Sequence, residues 1–212
     1  MEYISFLVDL FLHLDKHLGQ LIQTYGTLTY TILFLVVFLE TGLVITPFLP
    51  GDSLLFTAGA FAAKGDLNLS LLLVILFIAP LVGDQSNYWV GRLLGRKLPF
   101  SENSKIFKKK YLIKTEEFYS KYGTKTVILA RFIPIVRTFA PFVAGMGKMP
   151  YLTFVIYSTL GAGIWVGICV LAGYFFGNAQ IVKENFSLVV IAIIFISVLP
   201  VGLEWYKNKN KK

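Results

Sequence analysis

The chain has 212 residues, 56% of them hydrophobic and 15% charged, with a formal net charge of +8. That balance places it among membrane proteins, and the length suits one compact bundle. The basic residues flank apolar stretches, where a cytoplasmic anchor accounts for them, so nucleic acid is not an expected partner; the single Cys169 excludes an internal disulfide.

Taken in order, residues 1–20 read as an interfacial helix. Ile4, Leu7, Val8, Phe11, Leu14 and Leu18 form one stripe, with Asp9, Asp15 and Lys16 elsewhere. There is no basic n-region and no small-residue cleavage site, so this segment is expected to stay in the mature protein. Asp9, His13 and His17 fall at i, i+4 and i+8. Free histidines on such a helix are commoner than a metal site, so neither metal nor cofactor is expected.

A first repeat is expected over residues 21–91. Leu21 to Leu39 is uncharged and, as a helix, about 28 Å long, which suits a first span. Glu40 to Gly59 is apolar yet holds two carboxylates, Glu40 and Asp52, and the helix breakers Pro47, Pro50 and Gly51. Interrupted backbone survives in hydrocarbon only where protein or a wet cavity satisfies it, so residues 40–60 are expected to form a re-entrant hairpin. Leu69 to Gly91 is the second expected span. Asp84, Asn87, Tyr88 and Gly91 share one helical face, too polar for lipid, and are expected to line the interior.

Residues 92–125 carry ten basic and three acidic residues and read as a cytoplasmic segment. Phe107, Tyr111, Phe118 and Tyr122 recur there opposite Lys108, Lys109, Lys110 and Lys121, a pattern for a helix resting on anionic headgroups. The alternative is a linker helix packed on the protein's own loops.

A second repeat is expected over 126–177, with a second re-entrant hairpin at 126–149 broken by Pro134 and Pro141 and carrying Arg131 and Arg137. Pro47 to Gly59 and Pro134 to Gly145 span 12 and 11 steps, and the spans that follow them end in Gly91-Arg-Leu-Leu-Gly95 and Gly173-Tyr-Phe-Phe-Gly177. This matches a duplicated unit. Pro150 to Gly173 is the third span, residues 187–206 the last, and 207–212 a lysine tail. The charge bias puts residues 92–125, the tail and both termini in the cytoplasm, which inverts one hairpin relative to the other, as in many secondary transporters. The expected fold is therefore an all-α, polytopic membrane bundle with two inverted re-entrant hairpins.

Four intramembrane charges stand out: Glu40, Asp52, Arg131 and Arg137. They could simply pair to hold the hairpins together, but buried pairs add little stability, and a functional reading is favoured. Arginine's planar fork suits a phosphate or carboxylate head, and a carboxylate near it can titrate with occupancy, which is a route to proton coupling. Leu49 to Leu54, LPGDSL, contains a Gly-Asp-Ser-Leu esterase signature, yet the only histidines are His13 and His17, so no base is in prospect for Ser53 and no enzyme is expected.

Phe38-Leu-Glu-Thr-Gly, Pro47-Phe-Leu-Pro-Gly-Asp-Ser-Leu-Leu, Gly83-Asp84 with Asn87-Tyr88 and Gly91-Arg92, and Ala130-Arg-Phe-Ile-Pro-Ile-Val-Arg-Thr-Phe-Ala-Pro resemble the DedA family of bacterial inner-membrane proteins, within the VTT-domain superfamily. The resemblance implies two inverted re-entrant hairpins, a place in envelope maintenance, dependence on the proton-motive force and, for some members, translocation of polyprenyl phosphate or phospholipid. It places the family's important charges on Glu40, Asp52, Arg131 and Arg137. The expected function is a proton-linked flippase for a phosphate-headed lipid such as undecaprenyl phosphate, with Arg131 and Arg137 binding the head and Glu40 and Asp52 exchanging protons. The expected partners are membrane lipids, the anionic lipid substrate and protons; assembly with further copies of the chain stays open. A proton-coupled antiporter for small ions or osmolytes and a non-transporting membrane scaffold are the alternatives.

Overall fold

A glycine separates the first two described helices. The computed structural model describes residues 14–42, 51–95, 109–186 and 188–193. Gly26 takes a left-handed φ of 53°, which glycine reaches without a Cβ penalty. It separates α1, Leu14–Tyr25, from α2, Leu28–Gly42, and Thr29 Oγ1 bonds back across the turn to the Leu21 carbonyl at 3.2 Å. The uncharged run Leu21 to Leu39 is therefore two helices and not one span. Absence of charge concealed the break. α1 buries Leu14 and Leu18 and packs on α3, Gly51–Lys64. The rest of the expected interfacial helix, with Asp9 and His13, lies outside the described residues.

α2 has 15 residues, about 22 Å of helix, short of the roughly 30 Å hydrocarbon core. Near its start, Tyr30 Oη accepts a hydrogen bond from the Asn68 backbone at 2.7 Å, just past the loop to which α3 returns. In sequence, α2 and α3 flank residues 43–50. Pro47 and Pro50 fall in that outlying stretch; Gly51 is the first residue of α3, and Glu40 lies within the last turn of α2. The expected hairpin began at Glu40, and in the structure Glu40 belongs to a helix that starts at Leu28.

α4, Leu69–Leu94, and α8, Tyr151–Phe176, each have 26 residues and are long and apolar enough to cross a membrane. On α8, Leu152, Ile156, Leu160, Ile164, Ile168 and Phe175 stay exposed. Their near-fourfold spacing makes one apolar stripe, as a lipid-facing helix requires. Between these helices come α5, Lys109–Tyr122, α6, Thr126–Leu129, a 3-10 turn at Ala130–Phe132, and α7, Pro134–Met146. α9, Gln180–Glu184, follows α8. Residues 188–193 are helical, and the remainder of the expected last span and its lysine tail lies outside the described residues. Among the described residues the secondary structure is entirely helical.

The second break is at Ile133, which is extended (φ −128°, ψ 102°). Pro134 opens α7 at a position where a missing N–H forfeits no intrahelical bond. Pro141, expected to break the hairpin, instead lies inside α7. It removes only the donor to the Arg137 carbonyl, and buried Phe139, Phe142 and Val143 hold the helix around it. α5 rests on this helix: Leu112 and Tyr119 pack against those residues, and Phe118 and Tyr119 against Ala130, Val136 and Ala140. Tyr119 Oη donates to the Ala140 carbonyl at 2.9 Å. The aromatic side expected to meet headgroups is thus partly spent on the protein itself. Phe107 lies outside the described residues.

The chain packs as two units, one of Met1–Phe34, Pro50–Leu76 and Val166–Lys212, the other of Leu35–Leu49 and Phe77–Trp165. Each contains a helix crossing so close that only glycine fits. In the first, Gly59 of α3 lies on the Val170 carbonyl and Gly173 of α8 on the Phe56 carbonyl. In the second, Gly145 of α7 lies on the Tyr88 carbonyl and Gly91 of α4 on the Phe142 carbonyl. A Cβ at any of the four would overlap backbone, so small residues here set the approach of the helices.

Candidate functional site

The second unit gathers four charged side chains with almost no exposure. Glu40 is 0%, Asp84 2%, Arg131 2% and Arg137 5% exposed. Their formal charges sum to zero.

Local sequence explains how each arrives. Gly42 and Gly83 are side-chain-free, so the end of α2 meets the middle of α4 backbone to backbone, which brings Glu40 and Asp84 into the same region. The last carbonyls of α2 have no partner within their own helix. Asn87, one turn beyond Asp84, supplies one: its Nδ2 donates to the Thr138 carbonyl at 2.7 Å and reaches the Thr41 carbonyl at 3.5 Å. Thr41 follows Glu40 and Thr138 follows Arg137, so one amide ties together the backbones that carry the ion pair.

The break at Ile133 places the two arginines. Arg131 belongs to the 3-10 turn and Arg137 to the first turn of α7, where Arg137 Nη1 lies 3.5 Å from the Arg131 carbonyl. Arg137 Nη2 pairs with Glu40 Oε1, and its guanidinium stands 4.8 Å from the ring centre of buried Trp165, a cation–π arrangement. Arg131 Nη2 pairs with Asp84 Oδ2. Ser158 of α8 donates to that same Asp84 oxygen at 2.5 Å and lies 3.4 Å from Arg131 Nη2. Gly161 lets α8 come close to Ile128 and Arg131. Among the buried polar atoms without a hydrogen bond are Arg131 Nη1 and Asn87 Oδ1.

An unpaired ion in a dry interior costs several kcal/mol, and pairing offsets about that much without adding net stability. Two such pairs in one small unit are therefore poor stability devices and good candidates for function. Chemically, the site offers two guanidinium forks whose present acceptors are carboxylates that an external anion could replace.

Of the predicted residues, the structure brings together Glu40, Arg131 and Arg137. It adds Asp84, which sequence reasoning ranked as cavity-lining only. Asp52 lies in the first turn of α3, half-buried, in the other unit. Asn87 is a backbone tie, and Tyr88 is a core residue that stacks on Phe154 at 4.5 Å and donates to the Met149 carbonyl at 2.5 Å. Ser158 and Trp165 were missed. Their only sequence signal is that they sit on one face of α8 with Gly161, at i, i+3 and i+7. Ser53 is fully buried in α3. Outside the apolar helices, burial pushes the Tyr119 phenol well above its ordinary value, with the Asp84 charge acting in the same direction.

Residues 49–175 match the VTT domain family. The chain is 54% identical over 212 residues to Protein DedA of Escherichia coli, covering 99% of this chain and 97% of that protein. It is 40% identical over 178 residues to Uncharacterized membrane protein Rv0364 of Mycobacterium tuberculosis, covering 83% and 78%. It is also 30% identical over 177 residues to Inner membrane protein YghB of Escherichia coli, covering 84% and 80%. No solved structure matches.

Proposed function

Because this chain belongs to the DedA family of VTT-domain membrane proteins, we propose that it is a proton-motive-force-dependent flippase for a phosphate-headed lipid such as undecaprenyl phosphate, serving envelope maintenance. The observation that carries the reading is the pair of buried arginine–carboxylate contacts at a helix break, Arg137 with Glu40 and Arg131 with Asp84. A phosphate head has the charge and the oxygen spacing to replace a carboxylate on a guanidinium fork. Glu40, released from Arg137, would then take up a proton, since a lone buried carboxylate is disfavoured. Asp52 is the second proton-exchanging group in this reading.

The arms α2 and α3, and the broken segment from α6 to α7, would act as two re-entrant hairpins opening to opposite faces of an inner membrane. Both termini would then be cytoplasmic. Membrane lipids and protons are the partners this requires. The test is flux in reconstituted liposomes under an imposed pH gradient, comparing labelled undecaprenyl phosphate with labelled monovalent cations. Gradient-dependent movement of the lipid is the expected result. Cation-driven proton flux without lipid movement would put an antiporter in its place.

A further inference from the structure

Asp84 Oδ2 accepts two hydrogen bonds, one from Arg131 and one from Ser158 Oγ at 2.5 Å. The three residues come from α4, the 3-10 turn and α8, and all are at most 2% exposed. An anionic head that takes Arg131 must leave the Asp84 carboxylate behind in a dry site. A carboxylate stripped of its donors either keeps hold of the arginine or takes a proton. Ser158 removes that dilemma, because its hydroxyl can stay on Asp84 when the guanidinium turns away. Arg131 Nη1, buried and without an acceptor, is already available to an incoming oxygen.

We propose that Ser158 is a positioning residue that keeps Asp84 supplied with a donor while Arg131 passes to the phosphate head, so that capture of the head requires no proton on Asp84. The inference rests on the assignment of Arg131 to the head group made above. The charged and titratable groups around Asp84 are Arg131, Arg137 on α7, Glu40 on α2 through its action on Arg131, and Tyr119 on α5. Glu40 pairs with Arg137 and sets the pH dependence that wild type and variants share, while the Ser158 hydroxyl acts on Asp84.

The test measures binding of farnesyl phosphate to the purified full-length protein in lipid nanodiscs, with farnesol as the uncharged control, at mildly acidic and mildly alkaline pH. Wild type should bind the phosphate with an affinity that falls modestly toward alkaline pH, as proton uptake at Glu40 requires. Ser158→Ala should lose about tenfold at alkaline pH, the worth of one charge-assisted hydrogen bond, and recover in acid, where Asp84 can take a proton instead. Ser158→Thr should restore the wild-type profile, and in an Asp84→Asn background the Ser158→Ala change should have no effect on the profile. If Ser158→Ala fails to fold, Ser158→Cys carries the same comparison, since a thiol is a weak donor of similar size. A Ser158→Ala profile that overlays wild type, or a threonine that does not rescue, overturns the inference while leaving the proposed function intact. No difference between farnesyl phosphate and farnesol in wild type overturns the proposed function and this inference with it.

Discussion

Glu40→Gln is the perturbation that weighs the buried site most cleanly. It changes one charge and almost no volume, at a residue with 0% exposure whose carboxylate faces Arg137. The guanidinium would then stand against the Trp165 ring and the Arg131 carbonyl without its opposing charge. Breaking a buried pair from one side destabilises by about 3–5 kcal/mol. For a chain of this size each kcal/mol moves the midpoint by about 2–4 °C, so thermal unfolding in detergent should fall by about 6–20 °C. Arg137→Gln should cost a similar amount, by stranding the acid. The double variant Glu40→Gln with Arg137→Gln should return to within about 1 kcal/mol of wild type, because two neutral amides need no charge balance. A double variant as unstable as the sum of the singles would refute this reasoning, since it would mean that the two side chains stabilise through separate contacts.

The remaining predictions concern the frame around that pair. Gly91→Ala and Gly173→Ala place a methyl on the Phe142 and Phe56 carbonyls and should each destabilise by about 1–3 kcal/mol, whereas Gly167→Ala, which meets open space, should be neutral or gain up to about 1 kcal/mol; thermal unfolding of the three variants checks this. Asn87→Ala loses the tie to the Thr138 and Thr41 carbonyls and should cost about 1–3 kcal/mol, with Asn87→Asp worse still, because a carboxylate would face two carbonyl oxygens. The Tyr119 phenol has a folded-state pKa above its unfolded value of 10.0, so the folded form keeps its proton when the unfolded chain has lost it. Stability from this group is therefore complete below pH 10 and falls as pH rises beyond it. Tyr119→Phe should flatten that alkaline limb in unfolding experiments, at a loss of about 1 kcal/mol at neutral pH from the missing bond to Ala140.

Much of this was legible before any coordinates. The helix face of Asp84, Asn87, Tyr88 and Gly91 is buried, and the glycines that the repeat pattern singled out, Gly59, Gly91, Gly145 and Gly173, sit at the two tight crossings. Composition and spacing reveal such features because they are local to one helix. What the sequence could not tell is which acid meets which base. Arg131 and Asp84 are 47 positions apart, Arg137 and Glu40 97, and Asp84 ranked below Asp52 because its place near the basic end of its helix left an interface within reach. Pro141 misled for a related reason: a proline's cost depends on whether neighbouring side chains hold the helix on both sides. The turn at Gly26 was hidden because uncharged residues surround it.

The measurement that tests the central claim most directly is the initial rate of labelled undecaprenyl phosphate movement in liposomes carrying the Glu40→Gln, Arg137→Gln double variant under an imposed pH gradient. The double variant should fold as well as wild type yet move the lipid no faster than protein-free liposomes, since one of the two forks that take the phosphate and the acid that exchanges the proton are both gone. A stable double variant that moves the lipid at the wild-type rate would contradict the account and leave the buried pair a packing device.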